Sequence, residues 1–195
     1  MVQQRTLLVV AFAAFFLGAL SGVFFYESLE QMMLQFFEQL QEKIGPVTRG
    51  SELFIKIFIN NVLAALMFIG MGLFFGIYPF IGLILNGMAV GYLWQTAYAA
   101  GQDPWKMVVY GILPHGIFEI PAIVLAAAFG MRLGLQVWRS LWVLVRPAYR
   151  QQMPARPWRR LLNQLPLTIN LVIGLLLVAA AIESSLTLWL VQRYI

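Results

Sequence analysis

Histidine occurs once in this sequence, at His115, four residues before Glu119, and Pro114 and Pro121 bracket the pair. Four residues is about one helical turn, so an intact helix puts imidazole and carboxylate on one face. There they can hydrogen-bond, pass a proton or hold a cation. The surrounding residues are apolar, which makes both groups costly unless they find partners. Asn60, Asn61, Asn86, Asn170 and Glu183 also sit inside long apolar runs and must face a protein interior or a wet cavity. We expect a polar intramembrane cluster of Asn60, Asn61, Asn86, His115 and Glu119. Spacing leaves open whether Glu183 joins it or sits near headgroups.

Three chemistries compete at Pro114-His115-Gly116-Ile117-Phe118-Glu119-Ile120-Pro121: a hydrogen-bonded structural pair, a proton- or ion-handling site, and a metal site with catalytic water. A zinc hydrolase usually takes three protein ligands. With one histidine and no cysteine, His115 and Glu119 are the metal candidates, and carboxylates or asparagine would have to complete the set. There is no His-Glu-x-x-His, no Glu-Glu-x-x-x-Arg, no serine-histidine dyad and no aspartate pair. An enzyme is the weakest reading, and no cofactor is expected beyond an ion at this pair.

The elements that must position these residues are membrane spans. Of 195 residues 61% are hydrophobic and 11% charged, against about 45–50% and about 25% in soluble domains. Apolar runs extend from Thr6 to Tyr26, Glu52 to Gly76, Tyr78 to Ala99, Trp105 to Met131 and Leu165 to Val191. Each is long enough to cross a core of about 30 Å. The fold class expected is all-α, a single polytopic bundle over residues 1–195 with five transmembrane helices. The first run is read as an uncleaved helix, although Ala19 and Ser21 offer a weak cleavage pattern. Ile77, Tyr78 and Pro79 make the link between the second and third helices short, hence antiparallel neighbours. Pro114 and Pro121 predict a kinked or broken fourth helix.

Between the first two spans, Ser28 to Gly45 carries Leu29, Met32, Met33, Phe36, Leu40 and Ile44 at helical spacing, with Glu30, Glu38, Glu42 and Lys43 between them. That is an amphipathic interfacial helix, either resting on bundle or membrane or docking a partner. A basic segment of about 132–160 holds Arg132, Arg139, Arg146, Arg150, Arg156, Arg159 and Arg160, interleaved with Trp138, Trp142, Tyr149 and Trp158. Positive residues stay on the cytoplasmic side, which predicts a cytoplasmic loop and amino terminus and an extracytoplasmic carboxy terminus. Interleaved arginine and tryptophan also suit a membrane interface, so the partner is the lipid bilayer rather than nucleic acid.

Gly72 and Gly76, Gly87 and Gly91, and Gly130 and Gly134 are small-xxx-small pairs that let helices approach closely. They serve packing within one chain or a homodimer seam.

Phe58-x-Asn60-Asn61, Asn86-Gly87-x-x-x-Gly91, and Gly111 through Ala122 with its Pro-His-Gly-x-x-Glu-x-Pro-Ala string, followed by Gly130, together resemble the stage II sporulation protein M family. The resemblance covers about 54–134 and carries over Asn61, Asn86, Gly87, His115 and Glu119. It implies a multi-spanning cell-membrane scaffold that gathers extracytoplasmic peptidoglycan-remodelling enzymes, an amidase and a lytic transglycosylase, during sporulation and engulfment. The leading expectation is a self-associating scaffold and homo-oligomer. The alternatives are a transporter or channel component whose polar path runs through the five-residue cluster, and a metal-dependent intramembrane hydrolase.

Overall fold

In lipid every backbone polar group must be satisfied within its own segment, which selects helices from apolar runs like these. The computed structural model describes residues 2–45, 50–152 and 157–195. Among the described residues the order is α1 (Val2–Phe24), α2 (Tyr26–Ile44), α3 (Gly50–Met71), α4 (Ile77–Ala99), α5 (Pro104–Lys106), a π-helical segment Met107–Ile112, α6 (Leu113–Val145), a 3-10 segment Pro147–Gln152, α7 (Pro157–Ile182), a second π-helical segment Glu183–Thr187, and α8 (Leu188–Tyr194). Five stretches are long and apolar enough to cross a membrane: Arg5–Phe24, Gly50–Met71, Ile77–Ala99, Pro104–Val145 and Pro157–Tyr194. The protein is an all-α, multi-pass membrane bundle.

Lipid tails are as apolar as leucine, so helices associate in membranes through close packing rather than through the hydrophobic effect. The tightest seam joins α1 to α4. A Cβ added at Gly18 would strike the Ile84 backbone and one at Gly22 the Met88 backbone, while Cβ atoms at Gly87 and Gly91 would strike the carbonyl oxygens of Phe15 and Ala19. The partner numbers rise together, so the two helices run parallel and interlock two small-xxx-small pairs. Gly18 and Gly22 complete a seam for which the sequence pattern had singled out only the α4 side.

A second seam joins the α3–α4 turn to α6. Gly72 lies against Gly130, and Gly134 against Gly72, Phe75 and Gly76. α3 ends at Met71, where the Leu73 and Phe74 N–H groups donate to carbonyls three residues back. The connection is 72–76, and the expected link Ile77, Tyr78 and Pro79 lies in the first turn of α4. Within the connection Phe75 and Gly76 take positive φ, 58° and 73°. Gly76 tolerates this conformation without a Cβ penalty. All three glycine pairs named from the sequence therefore pack within one chain. Ala122, Ala126, Ala127, Leu83, Leu176, Ala179 and Ala180 fill the centre with little or no exposure.

Two further expectations need correction. The fourth span does not stop at Met131, since α6 continues to Val145. Its 33 residues span about 50 Å, so its last turns, carrying Arg132 and Arg139, extend the span as helix through half of the expected loop. Arg156 and the side chains of Lys43 and Ile44 lie outside the described residues. Of the kinked or broken fourth helix expected at its prolines, the break is absent among the described residues. Pro121 sits inside continuous α6, and ahead of Pro114 the helix widens: the Leu113 N–H donates to the Val108 carbonyl, five residues back. A wide turn is how a helix absorbs the donor that proline lacks.

The α1–α4 seam predicts opposite outcomes for two glycine substitutions. Gly91→Leu should lower stability by about 1–3 kcal/mol or more through overpacking. Gly174→Ala, where nothing lies within 4 Å, should be neutral or stabilise by up to about 1 kcal/mol. Thermal unfolding in mild detergent measures both, and equal midpoints would contradict the seam.

Candidate functional site

His115 and Glu119 occupy the first turns of α6, just beyond the wide turn, and project from the same face because they are four residues apart. His115 Nε2 lies 3.8 Å from Glu119 Oε2, with side chains 14% and 24% exposed. Across from them, at the π-helical segment of the fifth span, stand Glu183 and Thr187, also four apart. Thr187 is buried, and its Oγ1 lies 3.4 Å from His115 Nδ1. One ligand-type atom each from His115, Glu119 and Glu183 lies within 4.8 Å of the others. The two helices run in opposite directions, so Thr187 faces His115 while Glu183 faces Glu119, and each span contributes one i,i+4 pair.

The cluster sits toward the end of the bundle where α3 begins: a Cβ at Gly50 would lie 3.9 Å from the Ser184 carbonyl oxygen. Aromatic pairs gather at this end, with Tyr110 stacked on Tyr194 and Trp94 edge-on to Trp105. Such rings favour the membrane–water boundary. Toward the opposite end, α6 continues with buried Ala122, Ile123, Val124, Ala126 and Ala127, and α7 supplies Val172, Leu176, Ala179 and Ala180. Below Glu119 the contacts are therefore apolar.

Among the described residues the expected asparagines make no hydrogen bond to the histidine. Asn60 Nδ2 donates to Asn61 Oδ1 at 3.3 Å, a contact between neighbours on α3. Asn86 Nδ2 donates to the Gly82 carbonyl of its own helix at 2.8 Å. An amide that bonds its own helix one turn back is satisfied without any neighbour, an outcome that spacing cannot anticipate. Glu183 and Thr187 replace the asparagines as partners. The signal for Glu183 was its acidity within an apolar run, whereas Thr187 carried none, since threonine is ordinary in a transmembrane helix. Asn170 is exposed on α7, apart from the cluster.

Chemically, the arrangement joins an imidazole, two carboxylates and a hydroxyl from two spans. Among the described residues Glu119 has its ion-pair contact with His115, while Lys56 pairs with Glu52 on α3. Neutralisation has to come from protons or a cation, because two bare carboxylates so close together repel each other.

A second feature lies at the same end. α2 rests on α4 by Met33, fully buried against Ala89 and Tyr92, with Leu29, Phe36 and Phe37 beside it. Tyr26 stacks on Tyr92 at 4.9 Å between centroids. Glu27, Glu30, Glu38 and Glu42 all point outward. Met33 thus belongs to the bundle side and is not free for a partner, and Met32 and Leu34 are exposed instead.

The chain matches the family model described as stage II sporulation protein M over residues 11–188. It is also 36% identical over 84 residues to an uncharacterized protein of Methanocaldococcus jannaschii, covering 43% of this chain and 47% of the relative. The chain therefore spans about half the length of that curated relative. No solved structure matches it.

The chain has no cysteine, so introduced thiols report proximity cleanly. Glu119→Cys with Glu183→Cys should be joined by a short bifunctional thiol reagent, read by mass spectrometry of the digested protein. Glu119→Cys with Asn170→Cys should not, since Asn170 lies thirteen residues, about 20 Å of helix, before Glu183. Equal yields would mean that the fourth and fifth spans meet differently.

Proposed function

Because the chain belongs to the stage II sporulation protein M family, we propose that it is a membrane scaffold that displays α2 to partner proteins of the cell envelope. The observation that carries this reading is the seating of α2. A helix held only by headgroups would turn its apolar face into lipid. Here Met33, Tyr26 and Phe37 instead clamp α2 to Tyr92 of α4. The four outward glutamates form an acidic face on a fixed support. Its partner would carry a complementary basic surface, since opposite potentials steer association and suppress wrong partners. The positive-inside rule puts the arginine-rich end in the cytoplasm and α2 with its acidic face outside. By the family resemblance the partners would be peptidoglycan-remodelling enzymes.

A channel or transporter fits less well. Asn60, Asn61 and Asn86 bond locally, and the apolar packing below Glu119 interrupts any polar line across the bundle.

Self-association enters this proposal through α7. The glycine pairs are spent inside the chain, but Asn170 is exposed and makes no side-chain hydrogen bond among the described residues. Gly174, one turn further along, has open space around it, and Leu167, Leu171 and Leu177 are exposed nearby. An amide on the lipid face is costly, and a second copy placing its own Asn170 opposite satisfies both.

Two experiments test these statements. A photo-crosslinking residue at Glu30 or Glu38 in intact cells should capture a peptidoglycan-remodelling enzyme, and reversal of the four glutamates to lysine should lower its yield by about tenfold or more. Capture of lipid alone would remove the scaffold reading. Asn170→Leu should weaken dimerisation in detergent by about 0.6–2 kcal/mol, up to some thirtyfold in the dimer constant. A wild-type monomer, or an unchanged variant dimer, would overturn the α7 seam.

A further inference from the structure

We propose that His115, Glu119 and Glu183 bind one divalent transition-metal ion of the Zn2+ or Mn2+ class, clipping the fourth span to the fifth. This goes beyond the scaffold reading and does not depend on it.

The donor set argues first. One imidazole nitrogen with two carboxylate oxygens suits a borderline divalent ion better than Mg2+ or Ca2+, which take oxygen ligands almost throughout. Ligand atoms within 4.8 Å of one another are somewhat wider than the roughly 3.4 Å edge that bonds of about 2.0–2.2 Å give a tetrahedral site. Rotation of the two glutamate side chains, neither held by a hydrogen bond among the described residues, closes that gap. Three protein ligands would leave a fourth position for water.

Charge argues second. Two carboxylates, a neutral imidazole and a doubly charged cation sum to zero, the cheapest state near the hydrocarbon. Among the described residues the ion-pair contact of this cluster is His115 with Glu119, and a neutral imidazole brings no charge to offset the two carboxylates. The His115–Glu119 separation of 3.8 Å exceeds a hydrogen bond, so the two groups are aimed at a shared position rather than bonded to each other.

The outer shell argues third. Thr187 Oγ1 approaches His115 Nδ1. A proton on Nδ1 donated to that hydroxyl leaves the Nε2 lone pair facing Glu119. A bond on the other ring nitrogen is the usual device that fixes the tautomer and aim of a ligating histidine.

The local backbone argues fourth and independently. A π-helical segment lies on each contributing span, Met107–Ile112 just before His115 and Glu183–Thr187 at the facing ligand. Wide turns of this kind are rare and concentrate at functional sites. Pro114 accounts for the first. No proline lies near the second, whose residues are the ones that meet His115.

The test uses full-length protein in mild detergent, stripped with chelator, then incubated with ZnCl2 or MnCl2 alone and desalted. Elemental analysis should find one equivalent per chain in the wild type and about a tenth or less in Glu119→Gln/Glu183→Gln. Metal should raise the wild-type melting temperature, as a ligand specific for the folded state must, and leave that of the double variant unchanged. The neutral amides keep the side-chain shape and remove the repulsion, so the stripped variant should melt at or above the stripped wild type. Thr187→Val touches no ligand atom and should weaken binding by about tenfold or more with normal folding. A wild type that loads neither metal, or a double variant that loads as much as the wild type, would overturn the proposal and leave a proton-neutralised pair.

Discussion

Backbone-to-backbone approach between helices is the constraint on which the other features of this bundle depend. With no hydrophobic drive between apolar surfaces in lipid, adhesion has to come from dispersion and close contact. Gly18, Gly22, Gly87 and Gly91 let α1 and α4 touch along their carbonyls, and the Gly72–Gly76 turn does the same against Gly130 and Gly134. Once α4 is fixed to α1, its far end presents Ala89 and Tyr92 as the seat for α2. Once α6 is fixed to the α3–α4 turn, its opposite end stands beside the fifth span with His115 facing Thr187. Two seams near the middle and one end thus set the geometry at the other.

The polar cluster shows how that geometry is used. Charged groups near hydrocarbon are retained only where something neutralises them. Glu119 and Glu183 come from different spans, so whatever neutralises them also joins those spans. Pro114 contributes indirectly. By removing a backbone donor it imposes the wide turn that precedes His115, and the wide turn alters the direction in which the following helix presents its first polar residues.

The bundle was legible because length and hydropathy depend on composition alone. Five runs, the amphipathic α2 and the small-xxx-small pairs on α4 and α6 all follow from counting residues. The partners of those pairs were harder. Gly18 and Gly22 have the same spacing as Gly87 and Gly91, yet lie in a first helix that reads as an ordinary apolar run, and pairing between helices is a three-dimensional fact. The arginines after Met131 suggested a loop because charge usually ends a span, but α6 carries Arg132 and Arg139 onward as helix, with Arg132 bonded to Gln164 at 2.9 Å. Asn60, Asn61 and Asn86 looked like partners for His115 because any polar residue in an apolar run needs one. An asparagine can meet that need within a single turn, and Asn86 does. An ionised Glu183 cannot, because a carboxylate has no donor to offer its own helix carbonyls. Its partner has to come from elsewhere, and that chemical difference separates the residue that joined the site from those that did not.

A site at one end of a bundle behaves differently from one on a path through it. Small buried residues, Ala122, Ala126, Ala127, Ala179 and Ala180, pack directly behind the cluster with almost no exposure. Packing this dense leaves few voids the size of a water molecule, so any route from water to the cluster would run from the end of the bundle where α3 begins. That end also carries α2, and α3 touches both features: the side chain of Lys56, on its second turn, reaches toward Gly45 at the end of α2, while Gly50 abuts Ser184. The acidic platform and the polar cluster are therefore neighbours across the first turns of one helix. The arginine-rich segment lies at the opposite end, where the charge bias that orients a membrane protein can act without disturbing either of them.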